Sequence, residues 1–190
     1  AGSDFIEFIR RRLVVAKEIL SDDGSIYIHL DHRKSHHIKI VADEIFGESS
    51  FRNNIVWCYS GGGIPKKELP KKYDDILWYT KSSNNWIFNP IFRPYSEGTV
   101  ERGRTAVKGE NAELNVDGTI INNWWTDVKK ITSPTDYEKL NYPTQKSEEL
   151  LSRIIQLSSN EGDIILDFFA GSGTTASVAE KLNRKWISCD

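Results

Sequence analysis

The sequence predicts an α/β fold whose sheet has a parallel part, and three observations carry that prediction. Apolar positions near the start recur at helical spacing and give way, after a glycine, to a run rich in β-branched residues. Near the end, the continuous apolar run Ile164-Ile165-Leu166 leads into the glycine turn Asp167-Phe168-Phe169-Ala170-Gly171-Ser172-Gly173-Thr174-Thr175 and a further helical pattern. Between these regions, residues 87–123 lose clear periodicity.

Each element follows from its own pattern. Phe5, Phe8, Ile9, Leu13, Ala16, Ile19 and Leu20 line one face of an amphipathic helix, and residues 21–24, ending in Gly24, stop it. Residues 25–30 then read as a strand ending in Asp31, and a second helix runs over 35–46 before Gly47. Residues 54–59 and 75–80 are β-branched and aromatic, so they read as strands, joined in a long hairpin by the glycine-, proline- and lysine-rich connection 60–72. The segment carrying Pro90, Pro94, Gly98, Gly103, Gly109 and Gly118 reads as an irregular insert with short strands around 118–122. Helical spacing returns through Leu150, Leu151, Ile154 and Ile155. After Gly162 the apolar run suits a strand buried on both faces, followed by the glycine turn, a helix over 174–181 and a strand over 186–189 ending in Asp190. This divides the chain into a first part of the main domain (1–86), an insert (87–125) and a closing part (126–190).

Composition narrows the class. A chain of 190 residues holds one ordinary domain with a small insertion, and its longest apolar runs fall far short of a membrane span. Nothing at the start resembles a signal peptide, and Cys58 and Cys189 are too few and too far apart for a disulfide scaffold, which suits a reduced cytoplasmic chain. The formal net charge of -2 gives no global argument for a polyanionic partner. Locally the balance differs: residues 51–110 carry ten lysines and arginines against six acids, so any nucleic-acid contact belongs there.

Strand, Gly-x-Gly, helix, strand and acid form a nucleoside-binding arrangement. Gly171 and Gly173 allow a tight turn and close approach of a ligand, and the helix start presents N–H groups without partners in their own helix. Asp190 follows Gly171 where an acid would accept hydrogen bonds from both ribose hydroxyls. A Walker phosphate loop is excluded because the turn has no lysine. A dinucleotide fits Gly171-x-Gly173-x-x-Ala176, and S-adenosylmethionine fits a turn preceded by Asp167, Phe168 and Phe169; the pattern leaves both open.

Tyr142-Pro143-Thr144-Gln145-Lys146, followed after a helix by residues 167–175, resembles the paired signature of site-specific DNA amino-methyltransferases with the β order of motifs, including modification subunits of type III restriction systems. The opening helix, residues 21–31, the helix end Asp43-Glu44-Ile45-Phe46-Gly47 and Asn54-Ile55-Val56-Trp57 agree with that order. The resemblance implies a Rossmann-like sheet, incomplete in this chain, with a target-recognition insert and S-adenosylmethionine as cofactor. It implies a cofactor turn of Asp167, Phe168, Phe169, Ala170, Gly171, Ser172, Gly173 and Thr174, with Asp190 on the ribose and Thr144, Gln145 and Lys146 beside the methionine part. Thr144 also reads as a cap for the helix that follows. The activity implied is methyl transfer to the exocyclic amine of adenine, or less readily cytosine, in double-stranded DNA, within a restriction-modification system whose restriction subunit or second methyltransferase chain would be a partner.

The family's Asp/Asn/Ser-Pro-Pro-aromatic turn, which handles the amine of a flipped base, has no counterpart, since Pro-Pro does not occur and Asn89-Pro90-Ile91-Phe92 lacks the second proline. The resemblance therefore implies the carboxyl-side portion of a longer reading frame, with no catalytic residue of its own and weak or absent methylation alone. The insert's Arg93, Arg102, Arg104 and Lys108, with Tyr95, Trp124 and Trp125, are the expected DNA contacts. Lys66, Lys67, Lys71 and Lys72 in the hairpin connection would meet phosphates without reading sequence. His29, His32, His36 and His37 cluster, but only Asp31 is near to complete a metal set, so no metal is expected. Two rivals remain: a dinucleotide-dependent oxidoreductase fragment, and a DNA-binding remnant that has lost its chemistry.

Overall fold

A computed structural model of the chain describes residues 2–107, 110–131, 133 and 135–190. The chain forms two compact units, one of Ala1–Phe88 with Asn123–Asp190, the other of Asn89–Asn122.

In the larger unit, α1 (Gly2–Ile19) leads to β1 (Ser25–Asp31), α2 (Ser35–Phe46) follows, and a single 3-10 turn (Glu48–Ser50) feeds β2 (Phe51–Cys58). β3 (Tyr73–Thr80) returns antiparallel to β2, as the hairpin pattern predicts, and also pairs antiparallel with β1. The resulting order is β1-β3-β2, with the short β8 (Trp124–Trp125) added parallel to β2 at the far edge. One face is buried under α1 and α2: Ile9, Leu13, Ile38, Val41, Ala42 and Phe46 close over Ile28, Leu30, Leu77 and Tyr79. The other face is aromatic. Tyr27 stacks on Trp78 with ring centroids 5.5 Å apart, and Trp57 donates its indole N–H to the Val128 carbonyl at 2.9 Å.

The closing part supplies α4 (Glu148–Ser158), β9 (Ile164–Asp167), α5 (Thr174–Lys181) and β10 (Lys185–Ser188). β9 and β10 pair in parallel, joined by the α5 crossover. Ile165 packs on a cluster of Ile155, Val178 and Ala179. The expectation that 164–166 is buried on both faces does not hold, because Ile164 and Leu166 are 62% and 38% exposed. α4 and α5 cover one face of this two-stranded sheet, and strand alternation puts Ile164, Leu166 and the exposed Ile187 on the other. The Tyr27 hydroxyl lies 2.6 Å from Ser158 Oγ, joining β1 to the end of α4.

The smaller unit holds β4 (Phe92–Arg93), α3 (Glu97–Arg102), β5 (Arg104–Val107), β6 (Glu110–Glu113) and β7 (Thr119–Ile120), with β4 paired to β7 and β5 to β6, both antiparallel. Trp124 and Trp125, read from sequence as part of the insert, instead belong to β8 of the larger unit. Trp125 is 2% exposed and faces the Arg153 guanidinium, 5.1 Å from its ring centre, so it is core rather than a contact surface. Among the described residues, no helix is long and apolar enough to cross a membrane.

Candidate functional site

The turn after β9 is held from three sides. The Asp167 carboxylate accepts the Phe169 N–H at 2.9 Å and the Thr175 hydroxyl at 2.5 Å, closing the turn on itself. Ala170 N–H donates to the Cys189 carbonyl at 3.1 Å, and Cys189 N–H to the Asp167 carbonyl at 3.0 Å, so the turn is stitched to the residues just past β10. Gly173 N–H closes back on the Ala170 carbonyl at 2.8 Å. Within this frame Gly171 and Gly173 adopt left-handed φ values of 50° and 77°. Their side-chain positions differ. A Cβ on Gly171 would meet the Tyr142 ring at 3.0 Å, whereas one on Gly173 would meet nothing within 4 Å. One glycine therefore admits an aromatic ring of the protein and the other faces open space, beside the first turn of α5, whose N–H groups lack acceptors in their own helix.

The segment before α4 closes on the same turn. Tyr142 donates its hydroxyl to Asp190 Oδ2 at 3.4 Å while its ring lies at Gly171, and the Lys146 carbonyl accepts the Thr174 hydroxyl at 3.3 Å. Two non-glycine residues here, Asn141 and Thr144, have φ of 57° and 68°, and for β-branched Thr144 that is a strained conformation. Gln145 holds the loop in shape: its amide donates to the Glu138 carbonyl at 2.6 Å and accepts the Leu140 N–H at 2.8 Å. Thr144 is not the cap of α4. Ser147 occupies that position without a side-chain cap bond, and the Glu138 carboxylate instead takes the Glu148 N–H at 2.8 Å, so the helix start is capped from outside the motif.

Lys146 extends toward a second cluster. Burial pulls its ammonium below the usual lysine range, opposed by the Asp74 carboxylate. Asp74 Oδ2 lies 2.9 Å from His29 Nε2, and its Oδ1 accepts the Tyr59 hydroxyl at 3.0 Å. Burial works against the Asp74 charge, but those two hydrogen bonds hold its carboxyl below the usual range. Burial also lowers the His29 pKa despite Asp74, with Lys146 and Lys130 adding to the effect, so at neutral pH a neutral imidazole donates to a carboxylate. Tyr59, desolvated and beside Asp74, is pushed up to about 12, and the Lys130 ammonium sits 4.3 Å from its ring centre.

The structure thus brings Tyr142, the Lys146 carbonyl, the 167–174 turn and Asp190 together, with Thr144 and Gln145 in the loop between Tyr142 and Lys146. The Gln145 side chain is engaged within its own loop. Phe169 remains 47% exposed, with the Phe8 ring 6.0 Å away. Arg93, Arg102 and Arg104 lie in the smaller unit and are exposed, while Lys108 lies outside the described residues. Sequence reasoning placed Tyr142 at the head of the paired signature but gave it no role, because its contacts with Gly171 and Asp190 span distant positions. It also missed the His29-Asp74-Tyr59 set, because these residues meet through antiparallel pairing and leave no local pattern. His32 lies 6.0 Å from the Tyr73 ring, and among the described residues no group of three His, Cys, Asp or Glu is arranged to hold a metal.

Comparison with known proteins places this geometry. The type II methyltransferase M.EcaI of Enterobacter cloacae is 30% identical over 247 residues, covering 98% of this chain and 54% of the relative. The DNA adenine methyltransferase YhdJ of Escherichia coli strain K12 is 32% identical over 189 residues, covering 98% of this chain and 62% of the relative. The chain therefore spans between half and two thirds of the length of these curated relatives. Among solved structures, the M1.HpyAVI–SAM complex superposes with a TM-score of 0.66 at 23% identity, covering 95% of this chain and 74% of that one. The cytosine-N4-specific PvuII DNA methyltransferase superposes with a TM-score of 0.68 at 17% identity, covering 100% and 67%. These likenesses establish the fold as the Rossmann-like α/β sheet of DNA methyltransferases, incomplete in this chain. The match to the DNA methylases of the N6/N4 group extends over residues 1–190, and the chain belongs to that family.

Proposed function

We propose that this chain is the cofactor-binding and DNA-contacting part of an S-adenosylmethionine-dependent DNA amino-methyltransferase acting on adenine, or less readily cytosine, in double-stranded DNA. The observation that carries the reading is the turn between β9 and α5. Gly173 is left-handed and open, Gly171 is packed under Tyr142, and Asp190 lies alongside. That cradle suits a nucleoside without a phosphate: Asp190 accepts the ribose hydroxyls, and the Phe168-Phe169 pair offers an apolar, aromatic wall. Thr144, Gln145 and Lys146 flank the methionine part, where the Lys146 carbonyl already holds the Thr174 hydroxyl of the turn. The bound cofactor supplies a methyl group on a sulfonium for attack by an exocyclic amine. This chain's residues bind and orient, and Pro-Pro, the core of the family's catalytic turn, does not occur in the 190 residues.

The smaller unit, Asn89–Asn122, is the proposed target-recognition segment, with Arg93, Arg102, Arg104 and Lys108 on the phosphates. The relatives' names, type II methyltransferases of bacteria, support a place in a bacterial restriction-modification system; its proposed location is the cytoplasm, and its proposed partner a restriction subunit or a second methyltransferase chain. Isothermal titration of the 190-residue protein with S-adenosylhomocysteine and, separately, with NAD tests the cofactor. Heat with the first and none with the second supports the reading. The reverse would assign the turn to a dinucleotide.

A further inference from the structure

We infer that the connection between β2 and β3 is a nucleic-acid wedge, which places an apolar pair in a DNA groove while flanking lysines hold the phosphates. The inference rests on the proposal that this chain binds DNA, and it adds a contact surface in the larger unit, apart from the insert. The loop is closed at its neck by the Tyr59 N–H on the Lys72 carbonyl at 2.9 Å. The Lys72 ammonium turns inward and bonds the Gly61 and Gly63 carbonyls, the latter at 3.1 Å, and Lys71 pairs with Glu68 at 2.6 Å. Two of the four lysines expected from sequence to meet phosphate are thus engaged in shaping the loop, which leaves Lys66 and Lys67 exposed at its far end.

Ile64 and Leu69 flank those lysines and are 84% and 86% exposed. Each precedes a proline, Pro65 and Pro70, which stiffens the backbone that carries it. This closed-neck loop without secondary structure presents two bare aliphatic side chains beside lysines, and long loops of this kind are commonly functional. Apolar side chains inserted beside base steps, with lysines on the phosphates, are how many proteins bend or open duplex DNA. Charge selects the partner: residues 59–72 carry four lysines against one glutamate, which opposes a basic protein surface. A bilayer is disfavoured because residues 61–71 contain no tryptophan or tyrosine to sit at the interface.

The test is fluorescence anisotropy of the 190-residue protein with a labelled duplex between 50 and 200 mM salt, plus duplexes carrying 2-aminopurine to report unstacking. K66A/K67A is expected to weaken binding about tenfold at low salt and to lower the salt slope by about 2, close to the 0.9 per phosphate of counterion release. I64A/L69A is expected to keep the slope, weaken binding and abolish the 2-aminopurine rise. All four side chains are exposed, so unchanged melting temperatures confirm intact folding. Duplex binding that survives both variants unchanged, with the same 2-aminopurine signal, would overturn the wedge while leaving the DNA-binding proposal standing. No duplex binding by the unaltered protein would overturn both. Binding to phosphatidylserine vesicles that I64A/L69A abolishes, with duplex binding unaffected, would reassign the tip to a membrane.

Discussion

Thr175 Oγ1 and Asp167 Oδ2 are 2.5 Å apart, so the last residue of β9 is tied to the first turn of α5 across the whole glycine turn. The same carboxylate takes the Phe169 N–H, which makes Asp167 the clamp that gives the turn its shape. Asp167→Ala leaves two polar groups without their acceptor and should cost about 1–3 kcal/mol by urea denaturation, with S-adenosylhomocysteine binding lost in parallel. Thr175→Val removes only one bond and should cost about 1 kcal/mol. The two changes together should cost less than their sum, because they share an interaction. Simple additivity would show that the hydrogen bond is absent in solution.

Gly171 and Gly173 separate strain from space. Alanine at either position pays for a left-handed backbone, about 1–2 kcal/mol. At Gly171 the new methyl also meets the Tyr142 ring at 3.0 Å and must displace it from Asp190. Gly171→Ala is therefore expected to be the less stable variant in thermal melts. Gly173→Ala, whose methyl enters open space, should lose more nucleoside affinity than its stability loss explains, because the methyl occupies the ligand's approach. Equal effects of both substitutions on both measurements would contradict the assignment of the open side.

Thr144 is held in a left-handed conformation that a β-branched residue rarely adopts. Thr144→Gly should relieve that strain and raise stability by about 1 kcal/mol, while weakening S-adenosylhomocysteine binding severalfold in titration calorimetry. A variant that loses stability instead would mean that the threonine side chain holds the loop.

The pH dependence of stability follows from His29 and Asp74. Burial lowers the folded-state pKa of His29 below its ordinary 6.5, with Asp74 partly opposing and Lys146 and Lys130 reinforcing the shift. The unfolded chain then binds a proton that the folded chain refuses, so stability falls as pH drops through about 6.5 toward the folded value. Asp74 is depressed despite its burial, so its contribution is present above its unfolded value near 3.8 and is lost only as pH falls through its lower folded value. Urea unfolding at pH 7.5 and 5.5 should show a loss on acidification that His29→Gln reduces. An identical loss in that variant would place the titration elsewhere.

Local chemistry determined much of this protein from sequence alone. The helical period of Ile9 and Leu13 put α1 against the sheet, the β-branched runs on either side of the lysine-rich connection marked β2 and β3, and two glycines after an apolar run marked the turn between β9 and α5. These features repeat over a few residues, so neighbouring positions carry the signal. The tertiary structure alone decided the rest. Ile164 and Leu166 read as buried because they are apolar, yet their exposure depends on which helices lie beside β9. Trp124 and Trp125 became a strand only because β2 offered an open edge. Tyr142 reached Asp190, 48 positions away, and His29 reached Asp74, 45 positions away, through strand pairing and loop closure. Contacts between residues so far apart are fixed by the packing of whole elements, and no local pattern encodes that packing.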